Sequence, residues 1–159
     1  MNFISPSQRL VIVQFVLFAV LALAVVLTPA ASAPSTIGIG IVLIMIGLAL
    51  IALAIVTYQA HANRLPKISP EPPDPQRGGR LIMQGIYGVM RHPIYGGVLF
   101  TAFGIAFIHG NIFVWAVVAA MYVFFYSKSR YEEGMLAHFY PEYGQYMQRT
   151  GRFLPRIGR

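Results

Sequence analysis

The sequence predicts an all-α integral membrane protein, a bundle of about four transmembrane helices followed by a C-terminal cytoplasmic or interfacial helix. Two observations carry this. Of 159 residues, 57% are hydrophobic and 11% charged, with a mean hydropathy of +0.63. Soluble domains carry roughly 25% charged residues, and a chain this short has too little interior to hide the surplus apolar surface. The apolar residues are also gathered into long runs, with the charges confined to certain gaps between them.

A helix needs about 20 apolar residues to cross the hydrocarbon. The first run, Leu10 to Leu27, contains Gln14 as its one strongly polar residue. Ala31-Ser32-Ala33 has the small residues of a leader-cleavage site. The run is too long for a usual signal core, however, and Pro34 follows at once, so a retained helix is expected. The second run, Ile37 to Val56, carries no charge, and its Gly38, Gly40 and Gly47 would permit close helix contact. Between 64 and 80 the chain turns to proline and charge, with Pro66, Pro70, Pro72, Pro73 and Pro75. Such a stretch cannot be a helix interior and reads as an extended loop. The third and fourth runs, Tyr95 to Ile108 and Ile112 to Tyr126, are short. At 1.5 Å per residue each reaches only about 22 Å, so their charged ends are expected at or just inside the interface. From Lys128 to Arg149 the composition is helical with a break near Pro141, and Tyr131, Phe139, Tyr140, Tyr143 and Tyr146 suit an interfacial segment. No internal repeat is present, and residues 1–159 are expected to form one membrane domain.

Thr28 to Thr36 and His109 to Asn111 contain no Lys, Arg, Asp or Glu. All such residues fall near the N-terminus, between His61 and Arg91, or from Lys128 onward. Four spans put those three regions on one side. The excess of Lys and Arg in those regions then assigns that side, with both termini and the active site, to the cytoplasm (the inner membrane in a bacterium). Basic residues flanking apolar spans serve topology and anionic lipid headgroups, so membrane lipids and not nucleic acid are the expected partners. The absence of cysteine excludes disulfides, thiolate metal sites and a cysteine nucleophile, and no metal site is expected.

Two clusters could carry chemistry. The first is Gly85-Ile86-Tyr87-Gly88-Val89-Met90-Arg91-His92-Pro93-Ile94-Tyr95-Gly96-Gly97. Pro93 suits the first turn of a helix, whose N-terminal amides would favour an anionic group such as a carboxylate. The plain alternative makes Arg91 and His92 interface anchors and the glycines packing devices. The second cluster is Lys128-Ser129-Arg130-Tyr131-Glu132-Glu133, where adjacent carboxylates stand beside two cations at membrane depth. These are costly there unless paired. Adjacent residues point to different sides of a helix, so one of the two acids is expected to face any given pocket; an ordinary solvated helix start is again the plain alternative. The short turn at His109 to Asn111 makes spans three and four an antiparallel hairpin. Both clusters then meet around one interfacial cavity.

Gly85-x-Tyr87, Arg91-His92-Pro93-x-Tyr95, Arg130-x-Glu132-Glu133-x-x-Leu136, Phe139, Tyr143, Tyr146 and Phe153-Leu154-Pro155 together resemble the isoprenylcysteine carboxyl methyltransferase family. The phospholipid methyltransferases are similar. The resemblance covers about residues 79–155. It implies a membrane methyltransferase core using S-adenosyl-L-methionine on a lipophilic, membrane-embedded acceptor, either isoprenylcysteine-carboxylate-like or phospholipid-like. It also implies a cofactor site lined by Gly79, Arg80, Leu81, Ile82, Tyr87, His92, Pro93, Ile94, Tyr95, Glu132 and Glu133. Lys128 falls where eukaryotic members carry an arginine that contacts the acceptor, exchanging a planar guanidinium for a point charge; Arg130 is the other candidate for that catalytic role. The family's Phe-Gly near Phe139 is replaced by Phe139-Tyr140-Pro141. A carboxylate acceptor would need a cation to orient it, whereas an amine would need a base, for which His92 and Glu133 are candidates. Two rival readings are a sterol-reductase-like, NADPH-dependent oxidoreductase and a non-enzymatic membrane scaffold. Oligomeric state is not legible in the sequence.

Overall fold

The computed structural model describes residues 5–62, 66 and 81–156. The order of elements is α1 (Pro6–Leu27), α2 (Pro34–Ala62), a single 3₁₀ turn (Gly85–Gly88), α3 (Pro93–His109), α4 (Ile112–Phe139) and α5 (Tyr143–Arg149). The all-helical membrane fold is as the sequence predicts. Three of these helices are long and apolar enough to cross a membrane, and α3 is a shorter apolar helix.

Local chemistry sets the helix ends. Ser5 caps α1: its hydroxyl accepts from the Gln8 amide at 3.2 Å, and the Gln8 side chain accepts from the Ser5 amide at 2.9 Å. This reciprocal pair satisfies two donors that a helix start leaves open. Pro93 begins α3, where its missing amide proton costs nothing. Gly110 ends that helix at φ 76°, a left-handed conformation that glycine adopts without strain. One residue later the Asn111 side chain accepts from the Phe113 amide at 2.9 Å and starts α4.

The helices outrun the apolar stretches. α4 does not stop near Tyr126 but continues through Lys128 and Glu133 to Phe139. Hydropathy reports the solvent around a helix, whereas Lys, Arg, Glu, Met and Leu remain good helix formers beyond the lipid. The expected break near Pro141 is present, between Phe139 and Tyr143. The proline-rich stretch lies almost entirely outside the described residues.

α2 and α3 pack antiparallel with their backbones in close approach. A Cβ on Gly40 would lie 2.6 Å from the Gly104 carbonyl oxygen, and one on Gly97 would lie 2.6 Å from that of Gly47. The small residues of α2 therefore serve contact within the chain. In lipid, where burial of apolar surface does not drive helix association, such close packing does. Gly38 faces open space. Between α1, α3 and α4 the core is Leu21, Leu99, Ala102, Ala106, Val114, Val118, Met121 and Phe125.

The two uncharged turns meet at one end of the bundle. The Ala31 amide donates to the His109 carbonyl at 2.8 Å, and the Asn111 side-chain amide donates to the Pro29 carbonyl at 3.2 Å. Arg91, Lys128, Glu132 and Glu133 gather at the other end, as the hairpin argument requires. Outward-facing residues such as Phe15, Leu23, Met45 and Val56 are exposed, as an integral membrane protein requires of its lipid-facing surface.

Candidate functional site

The charged end is assembled from three separated pieces of chain. Residues 89–92 run beside residues 151–152. Gly151 donates to the Val89 carbonyl at 3.1 Å, Arg91 to that of Gly151 at 2.8 Å, and His92 to that of Arg152 at 3.0 Å. This pairing seats the C-terminal segment on the start of α3. A Cβ on Gly96 would come within 2.7 Å of the Phe153 carbonyl oxygen, so a larger residue would push that segment off. The third piece is the charged end of α4.

Glu133 is the hub. Its Oε1 accepts from Arg91 Nε at 2.7 Å and its Oε2 from Arg152 Nη2 at 2.6 Å, while His92 Nε2 stands 3.3 Å from Oε1. Glu133 and Arg91 side chains are only 7% and 10% exposed, so each charge depends on its partners. The Arg91 Nη1 also donates to the carbonyls of Met147 and Thr150, which ties α5 to the hub.

Glu132 takes the other side of the imidazole. Its Oε2 lies 3.4 Å from His92 Nδ1, and its Oε1 accepts from the Tyr95 hydroxyl. Both acids thus reach His92, one at each ring nitrogen, where the sequence reading assigned a pocket to a single acid. Adjacent α4 side chains diverge, but His92 lies between them and meets both. Burial pushes the His92 imidazole toward neutrality, and the hydrogen-bonded carboxylates of Glu132 and Glu133 outweigh it, raising its pKa above 6.5. The ring stacks on Tyr95 with centroids 5.4 Å apart and planes 4° from parallel.

Lys128 is 0% exposed. Its ammonium donates to Gln14 Oε1 at 2.6 Å and lies 5.2 Å from the centre of the Tyr95 ring. Gln14 brings α1 into the cluster. The signal for it was present in the sequence, as the one strongly polar side chain of the first span. Arg152 is a further member that sequence reasoning missed, and no motif marks it.

The remaining candidates are placed as follows. Pro93 is buried and Ile94, Leu81 and Ile82 are partly buried. The Tyr87 carbonyl accepts from the Tyr146 hydroxyl at 2.6 Å, and the Tyr87 ring meets Tyr58 edge-on at 6.2 Å. Burial pushes the Tyr87 phenol well above its usual range and that of Tyr146 up to about 12, so both stay protonated. Arg130 is exposed. Gly79 and Arg80 lie outside the described residues.

A family model for phospholipid methyltransferases matches residues 36–143, two-thirds of the chain and the whole hairpin that carries these charges. The chain belongs to the phospholipid methyltransferase family. Among solved structures, this family member is similar to the eukaryotic intramembrane Ras methyltransferase ICMT (isoprenylcysteine carboxyl methyltransferase). The TM-score is 0.62 at 25% identity, covering 97% of this chain and 55% of that one. Among curated proteins it is similar to the cobalt-zinc-cadmium resistance protein CzcN of Cupriavidus metallidurans, 31% identical over 83 residues, which are 52% of this chain and 38% of that protein. The chain thus spans 38% of this curated relative and 55% of this solved one.

Proposed function

We propose that this family member transfers a methyl group from S-adenosyl-L-methionine to a lipophilic acceptor at the charged end of the bundle, on the cytoplasmic face. The supporting observation is the Glu132–His92–Glu133 bridge, which joins the start of α3 to the end of α4 beside an apolar wall. Buried ionisable groups at membrane depth are costly and mark functional sites.

The donor set fits the cofactor. Glu132 keeps 16% of its side chain exposed and suits ribose hydroxyls or an amino group. The amides that open α3 suit a carboxylate. When bound, S-adenosyl-L-methionine supplies an electrophilic methyl group on a sulfonium. The chain's own contribution is positioning, the main lever for an in-line displacement. Glu133 is fully engaged with Arg91, Arg152 and His92 and holds the cluster rigid. Glu132 and Tyr95 face the cofactor, and Lys128, fixed by Gln14, orients the acceptor.

The test is equilibrium binding of labelled S-adenosyl-L-methionine and of NADPH to the purified full chain. It is paired with incubation of methyl-labelled cofactor with a membrane extract. Cofactor binding that weakens at least tenfold in Glu132→Gln, with label entering a lipid-soluble product, is expected. Binding of NADPH alone would replace this reading with a reductase, and binding of neither would leave a scaffold.

A further inference from the structure

A second feature borders the Glu133 hub through Arg91 and Arg152 and is lined by neither Tyr95 nor Lys128. A groove of about 570 Å³ runs between α3, α4 and the C-terminal segment. That volume falls within the roughly 300–1,000 Å³ of small-molecule sites. Leu99, Phe100, Phe103, Tyr122 and Phe153 form its walls, and Arg91 and Arg152 stand at its head. From Gly96 to Phe103 the groove follows two turns of α3, about 10 Å into the apolar layer.

Among the described residues, the head of the groove is short of negative charge. Two guanidiniums share the single carboxylate of Glu133. Arg152 spends Nη2 on that carboxylate, while its Nε and Nη1, both buried, have no hydrogen-bond partner among the described residues. Its guanidinium lies over the Tyr126 ring at 4.5 Å, a contact that leaves those in-plane N–H groups unspent. Unpaired donors at membrane depth are costly. An apolar slot capped by surplus guanidinium donors complements an amphiphile with a chain and an anionic head.

We infer that this groove binds one anionic phospholipid of the surrounding leaflet, its phosphodiester on Arg152 and Arg91 and one acyl chain along Phe100, Phe103 and Tyr122. The occupant is a resident lipid and not the methyl acceptor, because Tyr95, Lys128 and Glu132 do not line the groove. This inference does not rest on the methyl-transfer reading.

The single tryptophan provides the assay. Trp115 packs on Phe103 with ring centroids 6.2 Å apart, so it reports on the deep end of the groove. Purified full-length protein in neutral detergent is titrated with phosphatidylglycerol brominated on one chain, and in parallel with phosphatidylcholine carrying the same chain. The expected result is saturable quenching of Trp115 at one lipid per chain, with phosphatidylglycerol binding at least tenfold more tightly. Arg152→Gln removes that preference. Arg152→Lys keeps the charge facing Glu133, controls for folding, and retains part of the preference. Equal quenching by both lipids, or quenching that never saturates, overturns the proposal. So does displacement of the brominated lipid by a lipophilic carboxylate that then gains a methyl group, since the groove would then be the acceptor's.

Discussion

Replacing Glu133 with glutamine tests how the charged end is held together. The change preserves shape but removes the carboxylate that faces Arg91 at 2.7 Å, Arg152 at 2.6 Å and His92 at 3.3 Å. An amide offers one acceptor oxygen in place of two and turns an NH₂ group toward groups that are themselves donors. Arg91 and Glu133 are almost wholly buried, so little discount for solvent screening applies there; Arg152, 22% exposed, adds less. Removing one partner from a buried ion pair costs about 3–5 kcal/mol. At about 2–4 °C per kcal/mol for a chain of this size, Glu133→Gln should melt roughly 6–20 °C below the parent protein. The measurement is thermal unfolding in one detergent, followed by circular dichroism. Glu132→Gln serves as the contrast: it keeps an acceptor oxygen for the Tyr95 hydroxyl, removes the charge facing His92 Nδ1 and leaves both guanidiniums paired, so its melting point should fall by less than half as much. A Glu133→Gln protein melting within 2 °C of the parent, a margin of about 1 kcal/mol, would refute the assignment of Glu133 as the hub.

Other outcomes follow from the same geometry. His92 has a raised pKa in the folded chain, so its contribution to stability is fully present below its unfolded value of 6.5 and is lost as pH rises through the higher folded value. Melting temperature should therefore decline above pH 6.5, and His92→Gln should flatten that decline over the same range. At the α2–α3 crossing, Gly97→Leu would force a side chain against the Gly47 backbone and should cost at least about 1–3 kcal/mol. Gly38→Ala, into open space, should be neutral or stabilising by up to about 1 kcal/mol; comparing the melting points of the two variants checks the packing. For the pair linking α1 to α4, a double-mutant cycle of Gln14→Leu and Lys128→Met should give a coupling energy of about 0.6–1.7 kcal/mol, the range of interhelical hydrogen bonds in membranes. A coupling of zero would remove Gln14 from the site.

The bundle was legible because lipid imposes a simple rule, that a crossing segment must be apolar and helical. Four apolar runs and two uncharged turns therefore fixed the order of helices and the antiparallel hairpin of α3 and α4. Helix lengths were less legible. The apolar run of the fourth span ends at Tyr126, yet the hydrogen-bonded backbone continues to Phe139, and hydropathy carries no information about that continuation.

The site divides along a similar line. His92, Tyr95, Glu132 and Glu133 could be brought together from sequence because they sit at the two ends of one hairpin, where a short turn dictates proximity. Arg152 reaches Glu133 for a reason no local pattern carries, namely that residues 151–152 hydrogen-bond alongside residues 89–92. Gln14 presents the intermediate case. A lone amide in an apolar span advertises that it needs a partner, but the partner's identity depends on the rotation of α1 against α4, which the sequence does not encode in any short motif. Lys128 shows the consequence. Read alone, it is a cation at a helix end that would ordinarily reach for water. Placed between Gln14 and the Tyr95 ring, with no exposed surface, it is instead a fixed positive charge inside the bundle. Helix α1, which contributes no residue to the recognised motifs, thereby helps set the electrostatics of the site.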